Sequence, residues 1–241
     1  MPEFLKLLPP AEALQIILQH VPPQPSVETV ALAQALGRVT VQDTIAAHPL
    51  PGFHRSSVDG YAVRAADTYG ASESLPAYLS LLGEAPMGKS PAFSLAGGQC
   101  ALIHTGGMLP EGANAVVMLE YTQVARAGEI EILRAAAPGD NLIHMGEDVQ
   151  AGEKALPAGS LLRPADLGGL AALGISEIAV ARAPRIAILS TGDEVVPIEA
   201  PLQPGQVHDV NTTTLRALVQ SAGGIPISYG ILPDQPQVLA Q

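Results

Sequence analysis

The chain has 241 residues; 24 glycines and 22 prolines make up about 19% of them, and 47% of the residues are hydrophobic. That hydrophobic content is typical of a globular protein, so the excess of glycine and proline indicates turns rather than disorder. The formal net charge of −11 argues against nucleic acid or an anionic membrane as a partner, because both attract basic surfaces.

The single cysteine, Cys100, cannot form an intrachain disulfide, which is typical of a reducing compartment. A small buried thiol is favoured over a nucleophile at this position. No window of about 18 apolar residues is present, and Glu3 stands where a secretory signal would be basic. We therefore expect a soluble, cytoplasmic protein, and the length alone predicts one to two domains.

The N-terminal elements are predicted from proline positions and apolar spacing. Apolar residues recur at helical spacing over residues 10–21, directly after a proline pair, which predicts an amphipathic helix. Residues 27–36 indicate a short strand and a helical turn that Gly37 ends. Residues 39–45 indicate a further strand.

The pattern changes between residues 48 and 140, where short apolar runs alternate with glycine and proline turns. This alternation predicts a small all-β module. The runs cover residues 61–63, 78–82, 101–104, 115–119 and 129–133. A helix with glycine and alanine on one face is then predicted over residues 164–173, and a strand over 178–181.

A βαβ unit is predicted after Pro184. Residues 185–190 form a continuous apolar run of the kind buried in parallel sheets, a helix is predicted over 212–222, and a second strand over 225–232. Asp234 and Gln237 have the spacing of a capping box for another helix. Two strands cannot cover their own faces, so we expect further residues beyond Gln241, or a partner chain, to complete the sheet.

Four loop segments place glycine beside carboxylates or hydroxyls, the groups that suit a hard cation and an oxyanion. Mg²⁺ is held by oxygen ligands, usually one or two carboxylates with waters and substrate phosphates, and glycine lets backbone N–H groups approach an anion. Each segment alone is more simply explained as a turn or a helix start. The segments are residues 56–61, 105–107, 146–148 and 190–194.

The last of these segments is better placed, because ligands of open α/β sheets bind at the carboxyl ends of strands. Asp234 follows the second strand at the same edge, where it is either a helix cap or part of a site. Asn211 is open to the same two interpretations.

Other catalytic classes lack their motifs. None of the six histidines has the H-x-H or H-x-x-x-H spacing of a zinc hydrolase. The chain contains no G-x-S-x-G nucleophile motif.

A series of motifs runs in order along nearly the whole chain. They occupy residues 51–53, 57–63, 103–106, 109–117, 141, 146–148, 152, 157–159, 173–175, 190–195, 205–206, 209 and 211. In order and spacing this series resembles the MoeA family of molybdopterin molybdenumtransferases. Several motifs in register are far more specific than any one of them.

The resemblance implies a Mg²⁺-dependent step of molybdenum cofactor synthesis, in which adenylylated molybdopterin releases AMP and molybdate enters the dithiolene. Molybdate and adenylylated molybdopterin are then the substrates. The family's catalytic positions match Asp59, Thr105, Asp148, Glu194 and Asp234. The cofactor-binding positions match Ser190, Thr191, Gly192, Asp193 and Asn211, and the metal positions match Asp193, Glu194 and Asp234.

The resemblance also implies an elongated, mixed α+β multidomain fold. Residues 1–47 and 141–182 would form a discontinuous linker and dimerisation domain, residues 48–140 a small β-rich module inserted in it, and residues 183–241 the truncated start of a three-layer α/β domain that binds molybdopterin. A homodimer is implied, with its active cleft shared between subunits. A molybdopterin adenylyltransferase-like partner is compatible with this function, whereas nucleic acid and membrane are not expected.

Four positions depart from the resembled family, one of them Val58, where the family often has methionine. His54 and Arg55 replace its usual Asp-Asn pair, and Ile143 replaces an arginine, a loss of positive charge that Arg55 or Arg64 can compensate. The family also continues past Gln241, so we expect the N-terminal part of an enzyme that is inactive alone. The alternative is a non-catalytic scaffold or binding protein of the same architecture.

Overall fold

The computed structural model describes residues 8–21 and 26–234, and the chain divides into two compact units. One is continuous, Thr44–Leu156, and the other combines Met1–Asp43 with Pro157–Gln241. The helices are α1 (Pro10–His20), α2 (Pro164–Ala172) and α3 (Val210–Ser221). The strands are β1 (Val27–Ala31), β2 (Thr44–Ile45), β3 (Arg55–Ser56), β4 (Gly60–Val63), β5 (Ala77–Glu84), β6 (Gln99–Ile103), β7 (Ala115–Met118), β8 (Thr122–Arg126), β9 (Glu129–Ile132), β10 (Leu142–Ile143), β11 (Lys154–Leu156), β12 (Glu177–Ala181), β13 (Arg185–Thr191), β14 (Val195–Val196), β15 (Val207–His208) and β16 (Ile225–Leu232).

A six-stranded sheet forms the centre of the Thr44–Leu156 unit, with the strand order β7-β4-β6-β5-β9-β8. Neighbouring strands are antiparallel except β5 and β6, which run parallel. Five of the six strands lie where the short apolar runs predicted them. The sixth, β8, has no counterpart among those runs, because it is an edge strand with mostly exposed residues.

Two apolar clusters cover the sheet, and successive residues of a strand alternate between them, as the period of two requires. Along β4, Tyr61 and Val63 belong to one cluster and Ala62 to the other. Cys100 is completely buried in the first cluster, and burial raises the pKa of its thiol to about 12. The prediction of a buried thiol rather than a nucleophile is confirmed, because a protonated, inaccessible thiol does not react.

The Thr44–Leu156 unit extends beyond the residues 48–140 predicted for the β-rich module. Strands β2 and β11 pair where the chain enters and leaves the unit, with Ile45 opposite Lys154. Ala46 N also donates to Glu153 O at 2.9 Å. Residues 44–47 and 141–156 therefore belong to this unit, and the division of the remaining residues into two further domains stays a prediction.

In the other unit, α1, α2 and β12 lie where the sequence predicts them, and β12 pairs antiparallel with β1. The single strand predicted over residues 39–45 is wrong in part. Val39 and Thr40 form isolated bridges, and the strand β2 is separate. The chain bends between them, where the Asp43 carboxylate accepts a hydrogen bond from Ala158 N at 2.8 Å.

The predicted βαβ unit is confirmed, with β13 and β16 paired in parallel and α3 between them in the chain. Helix α3 begins at Val210, earlier than predicted, because Asp209 rather than Asn211 caps it. The helix predicted to follow Asp234 lies outside the described residues. No helix in the described part of the chain has the length and apolar character needed to cross a membrane.

Candidate functional site

Two loops bring Asp59 and Thr105 together at one end of the six-stranded sheet. Asp59 directly precedes β4, Thr105 follows β6, and these strands are antiparallel neighbours with Gly60 opposite Ile103. Thr105 N donates to Asp59 Oδ1 at 2.8 Å, and Thr105 Oγ1 donates to the same oxygen at 3.2 Å. Strand register thus joins two side chains that are 46 positions apart.

Hydrogen bonds from Thr105 keep the Asp59 carboxylate ionised. The bond from the Thr105 backbone lowers the pKa of Asp59 most, and the hydroxyl adds to it. Slight desolvation acts in the opposite direction, while His104 lowers the pKa further. The Asp59 side chain remains exposed, so an oriented carboxylate faces solvent.

His104 connects Asp59 to a second carboxylate that sequence reasoning missed. His104 Nδ1 lies 3.5 Å from Asp59 Oδ1, and His104 Nε2 lies 3.2 Å from Glu84 Oε1. The only signal for His104 was its place beside Thr105. Nothing in the sequence marked Glu84, which reaches the site through the pairing of β5 with β6.

Gly60 fixes the position of Asp59 because no larger residue fits at the start of β4. A Cβ atom at Gly60 would lie 2.1 Å from Val117 O and 3.0 Å from Val116 Cγ1. Strand β7 therefore packs directly against the backbone that follows Asp59.

Asp148 lies in a separate loop of the same unit. Its backbone N–H donates to Leu50 O at 2.9 Å, and its carboxylate is exposed. The neighbouring Glu147 carboxylate accepts a hydrogen bond from His144 N at 2.8 Å. Throughout residues 44–156, which are all described, no hydrogen bond or ion pair joins Asp148 to Asp59 or Thr105.

A second group of polar residues lies at the carboxyl end of β13. Ser190 Oγ donates to Asp209 Oδ1 at 2.9 Å and lies 2.9 Å from Thr212 Oγ1. Thr212 N donates to the same Asp209 oxygen, also at 2.9 Å. These contacts tie the end of the strand to the first turn of α3.

Asp209 is a buried carboxylate in this group. Burial acts to raise the pKa of Asp209, but hydrogen bonds from Thr212, Ser190 and the Asn211 backbone together lower it. Sequence reasoning noted Asp209 only as a motif position. The three-residue spacing from Asp209 to Thr212 is a capping signal that could have identified it.

The loop after β13 holds Asp193 and Glu194, whose side chains are exposed. Gly192 has φ +141, and a Cβ there would lie 2.7 Å from Val195 Cγ2 and 3.1 Å from both Glu194 carboxylate oxygens. Glycine at this position lets Glu194 fold over the loop. Asp234 N lies 3.4 Å from Asp193 Oδ1, so the loops after β13 and β16 meet at one edge.

The remaining predicted residues of this edge are exposed. Thr191 ends β13 opposite Leu232, and Asn211 lies in the first turn of α3. Neither side chain forms a hydrogen bond within the described ranges. Among residues 8–21 and 26–234, no three histidine, cysteine or acidic side chains are grouped closely enough to hold a metal ion.

A cavity of about 880 Å³ lies beside this edge. It runs between α3 and the end of β16, and Asp209 forms part of its wall. Among its lining residues are Val195, Asp209, Thr212, Arg216, Ser228 and Ile231.

Two known protein families together match almost the whole chain. Residues 8–174 match the family described as the MoeA N-terminal region (domain I and II). Residues 187–241 match the family described as a probable molybdopterin binding domain.

Individual relatives agree with these matches. The chain is 38% identical over 218 residues to a molybdopterin molybdenumtransferase of Nostoc sp., covering 90% of this chain and 50% of the relative. It is 39% identical over 206 residues to molybdopterin molybdenumtransferase 2 of Mycobacterium tuberculosis, covering 86% and 51%. A crystal structure of a molybdopterin biosynthesis MoeA protein from Pyrococcus horikoshii OT3 matches with a TM-score of 0.88 at 38% identity, covering 97% of this chain and 62% of that one.

Proposed function

The chain belongs to the MoeA family, and from that premise we propose that it acts in molybdenum cofactor biosynthesis as part of a molybdopterin molybdenumtransferase. The proposed reaction inserts molybdate into adenylylated molybdopterin and releases AMP. The chain spans about half the length of the curated relatives it matches. The activity is therefore proposed for the protein at its natural length.

The observation that carries this proposal is the oriented Asp59 carboxylate. Asp59 is held by two donors of Thr105, is ionised, and faces solvent. Cleaving the phosphate linkage of an adenylylated substrate requires neutralised charge and positioned groups rather than an enzyme nucleophile. We propose that Asp59 contacts the substrate and that Thr105 positions the Asp59 carboxylate.

The edge formed by the loops after β13 and β16 is the proposed site for Mg²⁺. Asp193, Glu194 and Asp234 are the proposed ligands; because they are not grouped closely enough for all three to hold the ion together, one or two of these carboxylates would hold it, and their hard oxygen donors fit its preference. The contact between Asp193 Oδ1 and Asp234 N supports this assignment, because it brings the two acidic loops together. Mg²⁺ usually keeps several waters, so one or two carboxylates suffice. When bound, the ion would neutralise charge on the phosphate that departs.

The same edge is the proposed binding place for the pterin substrate. Ser190 is fixed by Asp209 and Thr212, which makes the end of β13 a rigid platform. Thr191, Gly192, Asp193 and Asn211 are the further positions assigned to the substrate. Asp148 is assigned a catalytic role on its family position alone.

We propose a cytoplasmic homodimer with an active cleft shared between subunits. The apolar side chains of α1 support self-association, because Leu14, Ile17 and Leu18 are each more than half exposed and no residue of α1 is buried. The α/β segment from residue 183 onward would be the molybdopterin-binding part.

Substitution of Asp59 and Glu194 in the protein of natural length tests the proposal. We expect Asp59→Asn and Glu194→Ala each to reduce AMP release and molybdenum insertion by about a hundredfold or more, because oriented electrostatic groups contribute on that scale. Circular dichroism should show that both variants stay folded. AMP is measured by chromatography and inserted molybdenum by elemental analysis.

Glu73→Gln is the matched control, because Glu73 is exposed and has no partner among the described residues. It should turn over at the unsubstituted rate. Full activity of Asp59→Asn would reject the role of that carboxylate. A folded, unsubstituted protein that releases no AMP would reject the enzyme and favour a scaffold.

A further inference from the structure

Arg55 is the arginine without a partner in the Thr44–Leu156 unit, all of whose residues are described. Of the unit's four arginines, Arg64 lies 4.0 Å from Asp67 and Arg126 forms an ion pair with Glu129. The Arg134 guanidinium lies 4.7 Å from the centre of the Tyr121 ring. Arg55 has no ion pair, no side-chain hydrogen bond and no ring contact.

The Nε atom of Arg55 is also buried without a hydrogen-bond partner, the one such side-chain nitrogen or oxygen among the described residues. Buried polar groups are almost always paired, so an orphaned donor calls for a functional explanation. The two terminal nitrogens of the same guanidinium are not buried, so they are in contact with solvent. The side chain is thus buried at Nε and open at its end.

The backbone places Arg55 beside the Asp59–Thr105 contact. Arg55 lies on β3 opposite Ile143 of β10 and forms a bridge with Met108. The next residue, Ser56, exchanges backbone hydrogen bonds with the loop after Thr105: Ser56 N donates to Gly107 O at 3.0 Å, and Gly106 N donates to Ser56 O at 2.8 Å.

The carboxylates of this region are already committed to other donors. Asp59 is bound by Thr105 and His104, and Glu84 by His104. None of them neutralises Arg55. Its charge therefore remains for a ligand that brings its own negative charge.

We propose that Arg55 binds a tetrahedral oxyanion of the substrates at the Asp59–Thr105 loops. A guanidinium presents a planar fork of N–H donors that matches an oxyanion, and charged hydrogen bonds of this type are the strong ones. The inference rests on the proposed function for its choice of ligand. Two substrate groups share this chemistry, molybdate itself and the phosphate that becomes AMP.

Calorimetric titration of the chain with sodium molybdate and, separately, with AMP tests the proposal at low ionic strength. We expect Arg55→Met to weaken binding by about tenfold to a hundredfold, the scale of a charged hydrogen bond. Arg55→Lys should restore part of the affinity, because lysine supplies the charge without the fork. Loss of molybdate binding alone identifies molybdate as the ligand, and loss of AMP binding alone identifies the phosphate.

Arg126→Met is the matched control and should bind as the unsubstituted chain does, since Arg126 forms an ion pair with Glu129. Thermal unfolding separates binding from a structural role: Arg55→Met removes an unpaired buried donor, so its midpoint should not fall. Unchanged affinity in Arg55→Met, or no binding of either anion by the unsubstituted chain, overturns the inference. Because binding is measured without turnover, an inactive enzyme that still binds through Arg55 overturns the proposed function alone.

Discussion

The six-stranded sheet and the βαβ segment are built from similar apolar strands but bury them to different degrees. All four residues of β4 are buried, whereas Ile186 and Leu189 of β13 are 41% and 49% exposed. No residue of α3 is buried.

The difference shows that an apolar run is enough to form a strand, whereas the elements packed around that strand determine how much it stabilises the fold. Strand β4 has hydrogen-bonded strands on both sides and apolar clusters on both faces. Strand β13 pairs with β16 alone among the described residues. Hydrophobic stabilisation follows the area removed from water, so it is concentrated in the Thr44–Leu156 unit.

The largest expected effect is on the free energy of unfolding, and a matched pair of isoleucine truncations tests it. Ile103→Ala should lower the free energy of unfolding by about 2–5 kcal/mol, because Ile103 is completely buried and leaves a cavity. Ile186→Ala should cost less than about 1 kcal/mol, since that side chain is already half in water. Urea unfolding followed by circular dichroism measures both. Equal losses would show that β13 is covered as completely as the sheet.

A smaller effect is expected in the βαβ segment from a polar contact rather than from burial. Asp209→Ala should destabilise α3 by about 1 kcal/mol, because it removes the N-cap and one of the two hydrogen-bond partners of Ser190. Hydrogen exchange of the α3 amides measures the change. Asn211→Ala is the control, and similar effects of the two substitutions would reject the cap.

The smallest effect concerns an exposed cap and its pH dependence. Arg163 hydrogen bonds lower the pKa of Asp166 to about 2. A carboxylate whose pKa is lower in the folded protein stabilises the fold at pH values above its unfolded pKa of about 4. This stabilisation is lost as the pH falls through the folded-state pKa. Asp166→Asn should therefore lower the thermal midpoint at pH 7, and the difference should shrink as the pH falls towards 2. A difference that stays as large at pH 2 as at pH 7 would mean that the charge of Asp166 is not responsible.

Most elements could be predicted from the sequence, because their signals are local. The glycine-bounded apolar runs of β4, β6 and β7 and the proline at the start of α2 each define an element without outside help. Strand β8 could not be predicted, since an exposed edge strand has no apolar face to reveal it. The start of α3 was misplaced because Asp209 and Asn211 are both good caps, and only the contact of Asp209 with Thr212 decides between them.

The candidate site was predicted less completely, and for a physical reason. Asp59 and Thr105 belong to recognisable motifs, but their partners His104 and Glu84 are set by how β5 and β6 pair. Such long-range pairing leaves no trace in local spacing. The unpaired state of Arg55 was equally invisible, because the absence of a partner is a property of the whole fold.

The buried Cys100 is an intrinsic probe of the opening of the Thr44–Leu156 unit. It is the single thiol of 241 residues and lies within the sheet of one unit, completely shielded from water. A thiol reagent can react with Cys100 only after that sheet opens, so the labelling rate measures how often the Thr44–Leu156 unit opens. The βαβ segment contains no thiol, so the labelling rate of the unmodified protein reports on the Thr44–Leu156 unit alone.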